Sequence, residues 1–187
     1  MPRVVSTLSL LAALLLSPLA LPPAAAAPDG PSSGARHCVH NLSDGTEQCF
    51  ATFTEAIAVA TGGAVTDAPA DSAKAAGDPA FAQRMDASSN VVAASAVLGI
   101  SYIDAGYSGA SRVWQASYGC DSSLDVDWQI SNVGSTWNDK ISSARSYSSC
   151  QSKYWEHAGF VGASTSWFID SSYFGSMNDR ATSIQFR

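Results

Sequence analysis

The pattern of hydrophobic and polar positions divides the chain into two parts near its middle. In the first part, Phe53, Ile57 and Ala60 lie on one face of a predicted helix. Thr52 begins a capping box before this helix, and the glycine pair at 62–63 predicts its end. Few large apolar side chains follow. The remaining predicted features of this part are an Ala/Asp/Pro-rich stretch over 64–80, a short helix over 79–85 and a loop over 87–90.

From about Val91 onward the pattern becomes that of a β protein. Short aromatic or β-branched runs alternate with Gly, Ser and Asp, which is typical of strands separated by turns. Because no long helical period interrupts them, an antiparallel sandwich is favoured over βαβ units. The predicted strands are 101–104, 111–115, 125–130, 144–147, 153–156, 164–169 and 182–186.

The first residues have the pattern of a secretory signal peptide. Arg3 is the only charge before Asp29, an apolar run covers 4–21, and small residues at 22–27 suit a signal peptidase. Prolines break the apolar run and no cluster of Lys or Arg follows it, which argues against a transmembrane helix. We therefore expect a secreted, extracellular protein without a transmembrane anchor.

Composition narrows the classes of function and locates the core. The chain of 187 residues has 10 Lys plus Arg against 16 Asp plus Glu, a net charge of −6. This balance argues against nucleic acid as a partner, because binding to phosphates requires an excess of basic side chains. All 5 Trp and all 6 Tyr lie after residue 100, so the main folded body is expected in the C-terminal half.

Four cysteines in an exported chain predict two disulfides, for which three pairings are possible. Cys38 and Cys49 flank an Asp-Gly pair at 44–45, a strong signal for a two-residue hairpin turn. Because a hairpin brings its ends together, we expect the local pairs Cys38–Cys49 and Cys120–Cys150.

The three histidines raise two alternatives, a zinc site and a hydrolase. His37 and His40 flank Cys38, but three ligands so close together need a distant fourth, and only His157 remains. A hydrolase would need a nucleophile oriented by a histidine, and the chain has no G-x-S-x-G motif. Neither alternative is favoured, and we expect the protein not to be an enzyme.

The β part contains an internal repeat. One copy has an aromatic hairpin over 102–109 and an Asn-Asp segment over 138–143; the other has them over 155–162 and 178–183. The hairpins are 53 residues apart and the Asn-Asp segments 40 apart. The first copy therefore carries 13 additional residues, which we place in a loop over 117–127.

The repeated residues resemble the βγ-crystallin family. Each copy has an aromatic-x-Gly hairpin, followed by the signature (Asn/Asp)-(Asn/Asp)-x-x-(Ser/Thr)-Ser found in the calcium-binding members. The resemblance covers about 96–187 and not the N-terminal half. It implies an all-β C-terminal domain, an antiparallel Greek-key β-sandwich of two βγ-crystallin motifs, preceded by a small hairpin-plus-helix segment. The expected domains are a signal peptide over 1–27, a flexible leader over 28–37, the disulfide hairpin-plus-helix segment over 38–95 and the βγ-crystallin-like domain over 96–187.

The resemblance also implies up to two Ca²⁺ ions, held between the signatures that begin at Asn138 and Asn178. The implied ligands of one ion are the carbonyls of Ile103 and Lys140, the hydroxyl of Ser142 and the side chain of Asp179. Those of the other are the carbonyls of Glu156 and Arg180, the hydroxyl of Thr182 and the side chain of Asp139. Oxygen ligands of these kinds suit Ca²⁺, with an expected affinity of about 10⁻⁴–10⁻³ M or somewhat tighter. The alternative is that Asn-Asp caps a β-arch and Ser satisfies its backbone, without any metal.

Two classes of function follow. The first is a secreted, non-catalytic calcium-binding βγ-crystallin-like protein, whose partner is the ion itself. The second is a secreted interaction protein on the same scaffold, such as a metalloproteinase inhibitor or a killer-toxin-like protein. In that case the loop over 117–127, tethered by its disulfide, would contact an extracellular protein target such as a protease.

Overall fold

The computed structural model describes residues 36–91 and 95–187. The predicted signal peptide and residues 28–35 of the predicted leader lie outside the described residues, and His37, the last residue of that leader, begins the first strand. In the parts of the chain that the structure describes, none of the helices has the length and apolar character needed to span a membrane.

The first half of the described chain forms the predicted hairpin and three helices. The connection between the two strands runs over 42–46 instead of the predicted two-residue turn, because only Gly45 of the Asp-Gly pair has a positive φ and a type I′ turn needs one at both positions. The elements are β1 (His37–Asn41), β2 (Glu47–Phe50), α1 (Phe53–Ala60), α2 (Ser72–Gly77) and α3 (Pro79–Val91).

The sequence pattern predicted the bounds of α1 correctly but not the length of α3. The capping box of Thr52 with Glu55 is present, and α1 ends before the glycine pair as predicted. Helix α3 continues through the loop predicted over 87–90. Its buried face, formed by Phe81, Met85 and Ser88, packs in the core, and this tertiary burial overrides the low helix propensity of the polar residues that follow.

The C-terminal half consists of short strands, as predicted. The predicted strand over 164–169 is the exception: one strand ends at its first residue, and the remainder contributes a single bridge from Phe168 to Ser152. The strands are β3 (Ala96–Asp104), β4 (Ser108–Ala116), β5 (Trp128–Ile130), β6 (Ser143–Ser146), β7 (Ser152–His157), β8 (Val161–Ser164), β9 (Asp170–Ser171) and β10 (Ser183–Phe186).

These strands form two sheets that exchange one strand between the repeats. The first sheet has the order β2-β1-β4-β3-β6-β9 and the second β5-β10-β7-β8. Strand β5 of the first repeat joins the sheet of the second repeat, and β9 of the second repeat joins the sheet of the first. This exchange is the Greek-key connection, and it confirms the predicted two-sheet fold of the C-terminal half.

Strand β1 adds to the first sheet in a way that the sequence pattern did not indicate. It runs parallel to β4, so that Cys38 lies beside Arg112, and antiparallel to β2, so that Cys38 lies opposite Cys49. These two cysteines form a disulfide, and Cys120 forms the other with Cys150. The N-terminal hairpin is therefore hydrogen-bonded into the same sheet as the first repeat.

Strand β3 is buried on both of its faces and separates two hydrophobic clusters. Val97, Ile100 and Tyr102 pack with the helices, whereas Leu98 packs in the cluster between the two sheets. The near-continuous apolar run of β3 follows from this position, because a strand covered on both faces needs no polar alternation. The helices cover the side of the first sheet that the second sheet leaves open.

A buried cation joins the added hairpin to the sandwich. The guanidinium of Arg112 forms an ion pair with Glu47 of β2, donates to the carbonyl of Val133 at 2.6 Å and lies over the rings of Trp114 and Trp137. Burial lowers the pKa of Arg112 to about 10, because the charged guanidinium is less favourable away from water. The charge is tolerated because a carboxylate, a carbonyl and two ring faces surround it.

We predict that Glu47→Gln lowers the free energy of unfolding by about 1–2 kcal/mol, since it leaves the Arg112 charge buried without its counter-charge. Glu47 is one third exposed, so the loss is smaller than for a fully buried pair. Urea unfolding measures it. The matched control is Asp67→Asn, which removes a carboxylate that faces Arg84 but is three quarters exposed, and we expect a loss below about 0.5 kcal/mol. Equal losses in the two variants would contradict the prediction.

Candidate metal centre

The two aromatic hairpins have the same backbone conformation. Tyr107 and Phe160 occupy equivalent positions, and both have a φ of 64°, in the left-handed region that a bulky residue rarely adopts. Two residues further on, Gly109 and Gly162 also have positive φ. Gly109 has a φ of 76°, which would strain any other residue, and a Cβ there would also force the Asp104 side chain to move, so glycine is favoured at this position.

The last serine of each signature holds its hairpin in this conformation. Ser143 is fully buried; its hydroxyl donates to the Asp104 carbonyl at 2.6 Å and accepts from the Tyr107 N–H at 3.0 Å. The equivalent bonds of the other copy join Ser183 to the His157 carbonyl at 2.7 Å and to the Phe160 N–H at 3.1 Å. Both hydroxyls thus bond to backbone groups, the role that the metal-free alternative gave to serine, and neither residue was among the expected ligands.

The Asn-Asp pairs also repeat their geometry. Asp139 and Asp179 have φ values of 56° and 55°, and each accepts a hydrogen bond of 2.7 Å from the side-chain amide of the preceding asparagine. The Asp139 N–H donates to the Ala181 carbonyl, and the Asp179 N–H donates to the Ile141 carbonyl. Each Asn-Asp pair therefore lies against the opposite repeat.

One cluster of oxygen atoms, which we name the Ser142 site, combines residues of both repeats. The Ser142 hydroxyl lies 2.7 Å from the Ile103 carbonyl and 2.9 Å from a carboxylate oxygen of Asp179. The side-chain oxygen of Asn178 is buried and has no hydrogen-bond partner among the described residues. Three of the four expected ligands of one ion are thus brought together.

The second cluster, the Thr182 site, mirrors the first. The Thr182 hydroxyl lies 2.6 Å from the Glu156 carbonyl and 2.6 Å from the side-chain oxygen of Asn138. Asn138 therefore makes the contact that was expected of Asp139, while Asp139 lines the same cleft of about 590 Å³. Among the described residues the Thr182 hydroxyl contacts only carbonyl and side-chain oxygens, while His157 also lines the cleft.

The charged groups of Lys140 and Arg180 are hydrogen-bonded to carbonyls outside the two clusters. Lys140 Nζ donates to the Thr136 carbonyl at 2.9 Å, and Arg180 donates to the Ser176 carbonyl at 2.9 Å and forms an ion pair with Glu156. The hydrogen bond from Arg180, together with one from the Ala163 N–H, holds the pKa of Glu156 below its ordinary value. Within 36–91 and 95–187, no donor reaches the carbonyls of Lys140 or Arg180, which were the remaining expected ligands.

The geometry does not support the zinc alternative. Among the described residues, the only close group of three metal-binding side chains is Cys38, Glu47 and Cys49, and its two sulfurs are joined in a disulfide. His37 is hydrogen-bonded to Ser111 at 2.9 Å, and burial lowers its pKa. The thiolates that structural zinc requires are therefore absent from this group.

Comparison with known proteins finds similarity only among solved structures. No family model and no curated protein matches the chain. A βγ-crystallin domain from Flavobacterium johnsoniae is 25% identical, covering 48% of this chain and 93% of that domain, with a TM-score of 0.37. A βγ-crystallin domain from Clostridium beijerinckii is 21% identical over 48% of this chain and 95% of that one, also with a TM-score of 0.37.

A third match is more distant in sequence. The N-terminal domain of protein S is 14% identical, covering 48% of this chain and 94% of that domain, with a TM-score of 0.38. The matched coverage is about half of the present chain in all three cases.

We predict that Ser183→Ala lowers the free energy of unfolding by about 1–3 kcal/mol, because the His157 carbonyl and the Phe160 N–H both lose their partner. Ser143→Ala should have a similar effect in the other repeat. Ser172→Ala, at an exposed serine, is the control and should change stability by less than about 0.5 kcal/mol. Calorimetry without added metal measures all three. A Ser183 variant as stable as the control would show that the hydroxyl does not hold the hairpin.

Proposed function

We propose that the protein binds Ca²⁺ at the Ser142 and Thr182 sites, as a secreted, non-catalytic βγ-crystallin-like protein. One observation carries the proposal. In each site a hydroxyl lies within 2.9 Å of two other oxygens, yet it has a single hydrogen and can donate to only one of them. Lone pairs therefore face one another at both sites, an arrangement that a cation would stabilise.

The kind of oxygen present favours Ca²⁺ over other metals. Ca²⁺ takes six to eight ligands from carboxylates, amide and hydroxyl oxygens, carbonyls and water, in a flexible geometry. Each site supplies a carbonyl, a hydroxyl and a side-chain oxygen, and the buried, unpartnered oxygen of Asn178 is a further candidate ligand. Transition metals prefer imidazole or thiolate, and within the described residues neither group contacts the hydroxyl of Ser142 or Thr182.

The surrounding charges favour modest affinity. Asp179 supplies a carboxylate to the Ser142 site, and Asp139 and Asp179 line the cleft of the Thr182 site together with Glu156, which is paired with Arg180. The Arg180 charge is compensated by Glu156 and is directed to the Ser176 carbonyl. Sites with few charged ligands bind Ca²⁺ with dissociation constants of about 10⁻⁴–10⁻³ M.

We expect the full chain to bind two Ca²⁺ ions in calorimetric titration and to melt at a higher temperature in about 10 mM Ca²⁺, because an ion bound only to the native state stabilises it. Ser142→Ala and Thr182→Ala should each reduce the stoichiometry from two ions to one, and the double variant should bind none.

The controls separate specific binding from a general effect of salt. Ser172→Ala should retain both ions, and Mg²⁺ at the same concentration should raise the melting temperature less, since it requires a stricter octahedral geometry. An unchanged melting temperature in millimolar Ca²⁺ would overturn the proposed function. A shift that survives the double variant would show that the ligands are misassigned.

A second candidate function, an interaction protein with an extracellular target, is favoured by the loop over 117–127. Leu124, near its tip, is 76% exposed, although the loop is fixed by the Cys120–Cys150 disulfide. An apolar side chain held in water on a rigid loop loses little conformational entropy when a partner buries it. A protease with an apolar specificity pocket is one such partner.

The test of this candidate is inhibition of a thermolysin-type metalloprotease. If the loop occupies its active site, the residual protease activity should fall with excess protein, and Leu124→Asp should restore it by placing a charge in the apolar pocket. Ser122→Asp, which introduces the same charge at another exposed position of the loop, is the control and should still inhibit. Full protease activity in the presence of the unchanged protein would eliminate this candidate for that protease.

A further inference from the structure

A groove of about 720 Å³ lies between α3 and the loop over 117–127, and it shares no residue with the Ser142 site or the Thr182 site. We name it the acidic groove; the residues that matter here are Asp86 and Ser89 of α3, Tyr118 and Asp121 of the loop, and Ser148. Its volume is in the range of small-molecule sites. Because it forms between the N-terminal segment and the first repeat, the sequence pattern of neither part indicates it.

The walls of the groove are held in place by covalent and hydrogen bonds. The Cys120–Cys150 disulfide ties the loop to the turn that contains Ser148, and the Cys120 N–H donates to the Ser148 carbonyl at 3.0 Å. The Ser148 N–H in turn donates to a carboxylate oxygen of Asp86 at 2.8 Å. The site is therefore preformed, which lowers the entropic cost of binding a ligand.

The groove carries negative charge without a compensating cation. Asp86 and Asp121 each accept a backbone N–H with one carboxylate oxygen, from Ser148 at 2.8 Å and from Ser123 at 2.6 Å. Neither takes part in an ion pair within the described residues, and no Lys, Arg or His is among the described residues that line the groove. The carboxylates are thus oriented, ionisable and without a counter-charge.

Two further carboxylates on the same loop, those of Asp125 and Asp127, add to the negative charge of the groove. Asp127 has a buried carboxylate oxygen with no partner among the described residues. Burial, followed by the nearby charge of Asp121 and a smaller effect of Asp125, raises the pKa of Asp127. Like charges on this short loop therefore repel one another, and a bound cation would relieve that repulsion.

An aromatic ring completes the groove. Tyr118 is 56% exposed, and its ring packs against Trp128 at a centroid distance of 4.6 Å, while the Trp128 indole N–H donates to the Tyr118 carbonyl at 3.1 Å. The ring is thus both accessible and fixed. Ring faces attract ammonium and guanidinium groups, by about 0.5–1 kcal/mol at exposed sites.

The chemistry excludes two other kinds of ligand. An anion would meet carboxylates and no basic side chain in the described lining of the groove. A single metal ion would need several carboxylate oxygens close together, and in residues 36–91 and 95–187 Asp86, Asp121, Asp125 and Asp127 form no such group. We propose that the acidic groove binds an organic cation, the guanidinium or ammonium group of an arginine or lysine side chain.

The test uses the full chain in EDTA, so that it is independent of the calcium sites. A tri-arginine peptide and L-argininamide are titrated to about 10 mM while amide and indole resonances are followed by NMR. We expect both to shift the resonances of Trp128 Nε1–H and the Ser148 N–H, and a tri-glutamate peptide to shift neither. Stronger binding of the peptide than of argininamide indicates a basic protein partner, and equal binding per cation indicates a free small cation.

The variants Asp86→Asn and Asp121→Asn test the charges, because the new amide oxygen can still accept the backbone N–H. Each should weaken tri-arginine binding about fivefold, and Tyr118→Ala should weaken it about threefold. Asp71→Asn is the matched control: Asn caps α2 as well as Asp does, and the lost charge lies outside the groove, so binding should change less than twofold. Equal weakening by the control, or shifts spread over the whole acidic surface, would overturn the proposal, as would no binding at all.

Discussion

Two buried serine hydroxyls hold the parts of the C-terminal half on which its candidate sites depend. Ser143 and Ser183 each join a strand near the end of a repeat to the folded hairpin at its beginning, across 36–39 residues in the first repeat and 23–26 in the second. Without these bonds, buried backbone groups of the hairpin would lack partners. The same contacts place the carbonyls of Ile103 and Glu156 beside the hydroxyls of Ser142 and Thr182.

The N-terminal segment is held to the C-terminal half by strand pairing and by a buried charge. Strand β1 adds to the first sheet through parallel pairing with β4, and the buried Arg112 links the hairpin to the aromatic core between the sheets. The segment has too few large apolar residues to form a core alone. It gains one by covering the outer face of the first sheet with Phe53, Phe81 and Met85.

The sequence predicted those features that depend on short segments. The capping box at Thr52, both disulfides and the division of the C-terminal half into short strands follow from local patterns, and all are present. For the candidate site, the resemblance to the βγ-crystallin family implied which side chains meet across the two copies. It did not distinguish Asn138 from Asp139 at Thr182, because neighbouring side chains on a left-handed turn point in directions that spacing alone does not define.

By itself, then, the sequence determined the repeat, its glycines and its oxygen-rich signatures, since each of these is a local requirement of backbone conformation or ligand chemistry. The tertiary structure alone decided the parallel pairing of β1 with β4, the length of α3, the burial of Arg112 and the existence of the acidic groove. All four arise where segments distant in sequence meet. Their energies come from burial and from charges brought together by the fold, and no pattern within one segment records them.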